Sequence, residues 1–237
     1  MHRRIICALD TGNLEEAVGL TKRLSPLVGA FKIGHALTLP HGLEVIERLY
    51  DAGAQRIFLD LKFHDIPNSV ALAVREAARH KVWMLTLHIA GGSAMMTAAA
   101  EEARFYDDVE RPLLVGVSVL TSLDQQVLSD QLGVQRSIPD HMCQLSALAL
   151  NCGLDGVVSS PEEVAIIRQS LGHDGIIVTP GIRFSAGETH DQLRVGTPEQ
   201  AIADGANYLV IGRALTSHPE PESVLAAIPS GPPVTSL

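Results

Sequence analysis

The feature of this sequence that most constrains its fold is a regular alternation of short apolar runs with helical patterns along the whole chain. Most of the apolar runs are continuous, which indicates strands buried on both faces, as in a parallel sheet. The eight predicted strands are Arg4–Leu9, Gly29–Ile33, Arg56–Leu61, Val82–Ile89, Pro112–Leu120, Gly156–Ser159, Gly175–Thr179 and Tyr208–Ile211. Eight such units in 237 residues favour a closed (β/α)8 TIM barrel over an open doubly wound sheet.

The alternation runs without a linker or a low-complexity stretch, so we predict one α/β domain over residues 1–237. Proline and glycine accumulate near the end, and a loose tail is expected from about residue 229. Capping boxes, in which a side chain three residues before Glu or Gln closes the first helical turn, predict three helix starts. These boxes begin at Asn13, Ser160 and Thr197.

Charge and composition restrict the classes of partner. The net charge is −9 and there is no basic run, which argues against a nucleic-acid partner. The apolar run at residues 5–9 is too short for a signal peptide, and no stretch approaches the ~20 residues of a membrane-spanning helix, so we expect a cytoplasmic protein without a membrane partner. The three cysteines form no Cys-x-x-Cys pair, and neither a disulfide framework nor a zinc site is expected.

Charged residues collect where the first three predicted strands end. Asp10 ends the first strand, Lys32 lies near the end of the second, and Asp60 and Lys62 end the third. Residues two apart on a strand share a face and neighbouring strands lie ~4.8 Å apart, so these four groups are expected to converge. Because ion networks are an inefficient route to stability and barrel active sites lie at these strand ends, we interpret the cluster as functional rather than as a belt of salt bridges.

The third strand also begins a stretch that resembles the DxKxxD motif of the orotidine 5′-phosphate decarboxylase family. Its residues are Asp60-Leu-Lys62-Phe-His-Asp65-Ile-Pro-Asn. Two other segments, Ala8-Leu-Asp10 and Phe31-Lys-Ile-Gly34, are similar to the same family, and the resemblance extends from residue 3 to about residue 228. It implies a metal-free barrel enzyme that removes CO2 from a pyrimidine nucleotide.

A second set of polar residues follows the last two predicted strands, where barrel enzymes often hold phosphate. Glycine lets the backbone approach an anion closely, and arginine binds phosphate oxygens in pairs. The segments Thr179-Pro-Gly-Ile-Arg183 and Ile211-Gly-Arg213 resemble the family's TPGIR…DQ…IGR pattern. That resemblance implies that the 5′-phosphate is bound by Arg183, Gln192, Gly212 and Arg213.

The segment after the fifth strand, Leu120-Thr121-Ser122, resembles the family's LTS stretch, in which a hydroxyl and nearby amides bind the pyrimidine ring. The resemblance favours Thr121 as the ligand, with Ser122 as the alternative; a cap for a helix that starts at Asp124 is the structural interpretation. Pro180 is expected to pack against the base. His88, at the end of the fourth strand, is expected to have a structural role.

The resemblance leads to a mechanistic hypothesis that uses no cofactor. The sequence contains no flavin, pyridoxal or metal motif that could take up the charge left at C6 when CO2 departs. We expect Lys62, which stays protonated among acids, to stabilise the carbanion and to deliver the replacing proton. Asp60 would lie beside the leaving carboxylate, Lys32 would link it to the ribose, and Asp10 would bind a sugar hydroxyl.

In the family the second acid of the motif reaches across a dimer interface. The resemblance therefore implies a homodimer in which Asp65, with Ile66, completes the site of the neighbouring subunit.

Three alternatives remain open from the sequence. Sugar-phosphate decarboxylases and hexulose-phosphate synthases share the barrel and the DxKxxD motif but use the carboxylates to hold Mg²⁺, which the oxygen ligands would allow. A metal-dependent epimerase is disfavoured because the ten histidines are scattered, without a His-x-His pair. A non-catalytic barrel that binds a nucleotide is disfavoured because both Asp60 and Lys62 are present.

Overall fold

The chain forms a closed barrel of eight parallel strands in the computed structural model, which describes residues 2–107, 110–172, 174–184, 194–226 and 228–229. The strands follow one another in chain order, and β8 pairs with β1. They are β1 (His2–Ala8), β2 (Val28–Ile33), β3 (Ile57–Phe63), β4 (Met84–His88), β5 (Leu113–Val117), β6 (Gly156–Val158), β7 (Ile176–Thr179) and β8 (Tyr208–Ile211). The predicted (β/α)8 architecture is confirmed.

Helices pack around the outside of the barrel. Within the described ranges they are α1 (Leu14–Leu24), α2 (His35–His41), α3 (Val45–Asp51), α4 (Pro67–Arg79), α5 (Gly92–Ala103), α6 (Ile138–Asn151), α7 (Val164–Leu171), α8 (Pro198–Ala203), α9 (Arg213–Thr216) and α10 (Pro221–Ala226). Shorter helical turns occupy Ile89–Gly91, Val127–Gln131 and Pro161–Glu163. None of these described helices combines the length and the apolar character that crossing a bilayer requires.

The predicted side-chain cap is present at two of the three helix starts. The Asn13 side chain accepts a hydrogen bond from the Glu16 N–H at 3.2 Å, and Thr197 accepts one from the Gln200 N–H at 3.3 Å. At the third start a helical turn does begin, at Pro161, but the Ser160 hydroxyl does not cap it: it donates to the Glu163 carboxylate instead of accepting from a backbone N–H. Glu163 is buried and its carboxylate needs a donor, which takes precedence over capping.

The apolar core has two layers, one inside the barrel and one between the barrel and its helices. The inner layer contains Phe58 and Met84, and burial of side chains of this size stabilises the fold by about 1.5–3 kcal/mol each. At the amino-terminal end of the strands Trp83 packs edge-on against Tyr208 at 5.1 Å, and Arg56 stacks on Trp83. Aromatic packing therefore fills that end of the barrel and leaves the carboxyl end for polar groups.

The predicted strand bounds differ from the observed ones by at most two residues, except at the end of β5, where the difference is three. The fifth apolar run continues to Leu120, but β5 ends at Val117, because Val119 and Leu120 turn into a loop that lines a cavity. The third run was expected to end at Leu61, yet β3 continues to Phe63 through an irregularity in its pairing with β4. Leu59 is opposite Leu85 while Phe63 is opposite Leu87, so β3 carries two extra residues between these pairs. Lys62 lies within them.

Candidate active site

A cavity of about 490 Å³ opens at the carboxyl ends of the strands. Its walls come from strand ends and from the loops that follow them, and Phe58, Val178 and Val210 of the inner core contribute to its lining. It brings together nine of the residues that the sequence predicted: Asp10, Lys32, Asp60, Lys62, Thr121, Pro180, Arg183, Gly212 and Arg213. Gln192 lies outside the described residues.

The four charged residues on the first three strands form a chain of alternating sign. Lys32 Nζ lies 3.3 Å from Asp10 Oδ1 and 3.3 Å from Asp60 Oδ2. Lys62 Nζ donates to Asp60 Oδ1 at 2.8 Å. The predicted convergence of these side chains is thus present in the structure.

The four charged side chains differ in how far they are exposed to solvent. The side chains of Lys32 and Asp60 are 13% and 14% exposed, whereas Lys62 is 35% and Asp10 is 68% exposed. The central pair is therefore shielded from water, and the Lys62 ammonium remains accessible from the cavity. An ammonium held in a shielded site acts on a nearby developing charge more strongly than one in water.

The pKa values of the central pair shift so that both stay charged. Burial alone would raise the pKa of Asp60, but Lys32 and Lys62, with hydrogen bonds from Lys62 and Thr86, outweigh it and place that pKa below its ordinary value. Burial would likewise lower the pKa of Lys32, but Asp60 and Asp10 outweigh it and raise that pKa.

Lys62 has a backbone conformation that non-glycine residues rarely adopt, with φ at 52°. Its N–H donates to Thr86 Oγ1 at 2.9 Å, and the same hydroxyl donates to Asp60 Oδ1 at 3.0 Å. Thr86 is buried in the middle of β4 and so fixes both members of the Asp60–Lys62 pair. The sequence analysis missed this residue, although a single hydroxyl within the apolar run Met84–His88 was a usable indication.

The opposite side of the cavity is basic and lies on the loops after β7 and β8. Gly181 has φ at 81°, a value that glycine adopts without strain, and it turns the chain between Pro180 and Arg183. The Arg183 backbone N–H donates to the Gly196 carbonyl at 2.9 Å, which pins this turn. Asp10 Oδ2 would be 3.5 Å from a β-carbon placed on Gly212, so Asp10 connects the charged chain to the end that carries Arg213.

Asp65 and Ile66 lie apart from this cavity. The Asp65 carboxylate accepts from the Ile66 N–H at 2.6 Å, and both side chains face solvent, with Ile66 66% exposed. Neither residue is among those that line the cavity of its own chain.

His88 lies at the edge of the charged cluster, and its ring packs against that of His64 with centroids 5.4 Å apart. Burial, His64 and Lys62 together lower the pKa of His88, which favours the neutral ring at neutral pH. The assignment of a structural role to His88 stays a prediction.

The two carboxylates that line the cavity contact lysine ammonium groups. Asp10 and Asp60 are joined through Lys32, and Asp60 also contacts Lys62. In the part of the chain that the structure describes, no three His, Cys, Asp or Glu side chains are grouped as ligands of one metal ion.

Comparison with known proteins places these features in context. A family model described as "Orotidine 5′-phosphate decarboxylase / HUMPS family" matches residues 3–228. Orotidine 5′-phosphate decarboxylase of Nitrosococcus oceani is 46% identical over 225 residues, which is 95% of each chain. The enzyme of the same name from Vibrio cholerae is 44% identical over 227 residues, covering 96% of this chain and 97% of that one.

Solved structures agree with the sequence comparison. The crystal structure of orotidine 5′-phosphate decarboxylase from Lactobacillus acidophilus superposes with a TM-score of 0.80 at 33% identity, covering 94% of this chain and 96% of that one. An uncharacterized conserved protein from Geobacillus kaustophilus superposes with a TM-score of 0.82 at 33% identity and the same coverage.

Proposed function

Because this chain belongs to the orotidine 5′-phosphate decarboxylase / HUMPS family, we propose that it decarboxylates orotidine 5′-monophosphate to uridine 5′-monophosphate with Lys62 as the proton donor. The names of its relatives support the reaction itself. The observation that supports the assigned roles is the Asp10–Lys32–Asp60–Lys62 chain, which ends in an accessible ammonium inside the cavity.

The chemical step is the heterolysis of the bond between C6 of the pyrimidine and its carboxylate. CO2 leaves, and the electron pair stays on C6. The Lys62 ammonium stabilises this charge and then transfers a proton to C6, so a C6–H bond forms and Lys62 becomes a neutral amine that solvent reprotonates. Because Asp60 holds the ammonium at 2.8 Å before substrate arrives, little reorganisation is needed when the charge develops.

The remaining cavity residues would position the nucleotide. Arg183 and Arg213, with the backbone of Gly212, are suited to the 5′-phosphate, because guanidinium groups bind phosphate oxygens in pairs. Asp10 lies between these groups and Lys32, where a ribose hydroxyl would be. Thr121 and Pro180 line the cavity from the loops after β5 and β7 and would contact the base. Gln192 is proposed as a further phosphate ligand from the sequence alone.

A second part of the proposal is a homodimer in which Asp65 and Ile66 serve the neighbouring site. Ile66 exposes 66% of its surface, although burial of such a side chain is favourable by about 1.5–3 kcal/mol. Asp65 lies on the same exposed loop. A partner subunit that covers this loop would bury the isoleucine and bring the carboxylate to a second active site.

The reaction is tested by following the ultraviolet absorbance of orotidine 5′-monophosphate with purified protein, with and without excess EDTA. We expect turnover that EDTA does not change. If turnover is absent and the protein instead acts on a keto-sugar phosphate only with Mg²⁺, the proposed reaction is wrong and the carboxylates hold a metal.

The shared site is tested by mixing two inactive variants, Lys62→Ala and Asp65→Ala, and allowing subunits to exchange. If Asp65 acts across the interface, half of the dimers are mixed and each has one complete site, so activity returns to about a quarter of the unmutated level. If Asp65 acts within its own chain, no mixture contains a complete site and activity stays absent. Sedimentation analysis of the same samples reports whether dimers form.

A further inference from the structure

A buried arginine, Arg194, connects three of the loops that line the cavity. Its side chain is 9% exposed and forms an ion pair with Glu163, which is 6% exposed, at 3.1 Å. Its second terminal nitrogen donates to the Leu120 carbonyl at 3.1 Å and approaches the Val119 carbonyl at 3.4 Å. Arg194 lies in the segment between β7 and α8, whereas Glu163 follows β6 and Leu120 follows β5.

Each of the three connected loops carries residues of the proposed site. Leu120 directly precedes Thr121. The Glu163 carboxylate is bound by the hydroxyl of Ser160, which lines the cavity. Two residues after Arg194, Gly196 bonds through its carbonyl to the Arg183 N–H at 2.9 Å and through its N–H to the Gly181 carbonyl at 3.2 Å. One side chain therefore links the loop proposed for the base to the turn proposed for the phosphate.

The segment around Gly196 packs tightly against the loop after β6. A β-carbon at residue 196 would come within 2.5 Å of Pro161 Cβ, so the returning chain presses directly on the loop after β6. This contact needs glycine at that position. The three loops thus form one packed unit, with the Arg194–Glu163 pair inside it.

A buried ion pair such as Arg194–Glu163 is unusual if its only role is to stabilise the fold. A buried ion pair stabilises a fold no better than apolar residues of similar volume, because both charges lose their hydration. Burial raises the pKa of Glu163, although Arg194 opposes the shift, so the carboxylate carries a cost in this position. A planar guanidinium, however, can hold a carboxylate and backbone carbonyls at fixed angles at the same time.

We propose that Arg194, held by Glu163, is a positioning residue that couples phosphate binding to the geometry of the base and the reacting carbon. This inference rests on the proposed function. Binding energy from the phosphate, which does not react, can lower the activation barrier of the chemical step by orienting the reacting part of the substrate. A link between the loops proposed for the two ends of the substrate is one way to transmit that energy. Arg194 connects these loops and does not itself contact the substrate.

The inference is tested by the ratio of two rate constants: kcat/KM for orotidine 5′-monophosphate divided by kcat/KM for orotidine, which lacks the phosphate. Because removal of one charge leaves the other buried and unpaired, the informative variant is the double substitution Glu163→Gln with Arg194→Met, which removes both. We expect this variant to fold and its ratio to fall at least tenfold, through kcat more than KM, with a smaller loss for orotidine. Arg194→Lys, which keeps the charge but not the planar fork, should lower the ratio partly.

The matched control is the double substitution Arg111→Met with Asp155→Asn, which removes another largely buried ion pair, at 2.6 Å, at the amino-terminal end of the strands. It should lower the melting temperature and leave the ratio intact. If the unmutated chain turns over the nucleotide and the folded double variant keeps the unmutated ratio, Arg194 is structural and the inference is wrong. If the unmutated chain does not turn over the nucleotide, the proposed function is what fails.

Discussion

Replacing Thr86 with valine tests whether its hydroxyl fixes Lys62, the proposed proton donor. Valine keeps the shape of threonine and removes the hydroxyl that donates to Asp60 at 3.0 Å and accepts from the Lys62 N–H at 2.9 Å. Thr86 is 1% exposed, so water does not readily take the place of the hydroxyl. The Lys62 backbone, at φ 52°, then loses the bond that holds it in a rarely adopted conformation.

The magnitude follows from the two hydrogen bonds. A bond to a charged carboxylate contributes about 1.5–3 kcal/mol and a neutral one about 1 kcal/mol, while the new methyl group returns about 0.8 kcal/mol of apolar burial. We therefore expect Thr86→Val to lower the free energy of unfolding by about 2–3 kcal/mol. If about 2 kcal/mol of this is also lost from the transition state, kcat/KM falls roughly 30-fold.

The pH dependence gives the prediction a second readout. The hydrogen bond from Thr86 is one of the contributions that hold the pKa of Asp60 below its ordinary value, so its loss should raise that pKa and move the acid limb of the kcat/KM profile to higher pH. Thr86→Ser keeps the hydroxyl and should retain both the rate and the profile. Unmutated kinetics in Thr86→Val, with the acid limb in place, would refute the reasoning.

Three further predictions concern the charged groups. Lys62→Ala should abolish turnover while circular dichroism and melting remain those of a folded barrel, and near-normal turnover in this variant would contradict the role proposed for Lys62. The control is Lys81→Ala, at an exposed residue that also has a positive φ (55°), and it should remain active. Arg213→Ala should lower kcat/KM about 100-fold by removing a charge-assisted phosphate contact, whereas Arg104→Ala at the far end of α5 should not, and equal rates for the two would contradict the phosphate assignment. Because the folded pKa of Asp60 lies below the unfolded value of about 3.9, the ionised carboxylate stabilises the fold above that pH and the contribution is lost as pH falls through the folded pKa. Urea titrations of Asp60→Asn should therefore show a flatter loss of stability in acid, and an unchanged slope would count against this linkage.

The sequence was sufficient for the architecture because barrel strands are buried on both faces and leave continuous apolar runs. It was also sufficient to bring Asp10, Lys32, Asp60 and Lys62 together, since parallel strands end at the same edge of a sheet. The backbone conformation that places Lys62 beside Asp60 differs from the expected one, however. Lys62 reaches Asp60 through an irregular stretch of β3 with a positive φ, and the two-residue alternation of a regular strand does not describe that stretch.

The residues that the sequence analysis missed share a property: their partners are distant along the chain. Thr86 meets Asp60 and Lys62 across a strand pair, and Arg194 meets Glu163 and Leu120 across two loops. A local pattern cannot report such contacts. The absence of the expected cap at Ser160 has the same origin, because the serine hydroxyl instead donates to Glu163, a buried glutamate that is paired with Arg194.

The distribution of charge explains how an acidic protein can bind a highly anionic nucleotide. The whole chain has a net charge of −9, yet the cavity brings four cationic side chains, Lys32, Lys62, Arg183 and Arg213, together with two carboxylates, Asp10 and Asp60. The local excess is thus two positive charges, and it lies at the end that carries the two arginines, because Asp10 and Asp60 balance the two lysines. Arg183 and Arg213 lie at the other end of the cavity, where they would attract the phosphate of the proposed substrate. At the reacting end each ammonium is already matched by a carboxylate, so the substrate carboxylate gains little net attraction there before reaction. In the proposed mechanism, loss of CO2 moves the negative charge from the carboxylate, placed beside Asp60, to C6, placed beside Lys62. The arrangement therefore favours the charge distribution of the transition state over that of the bound substrate, which is the condition for a rate enhancement rather than tight binding.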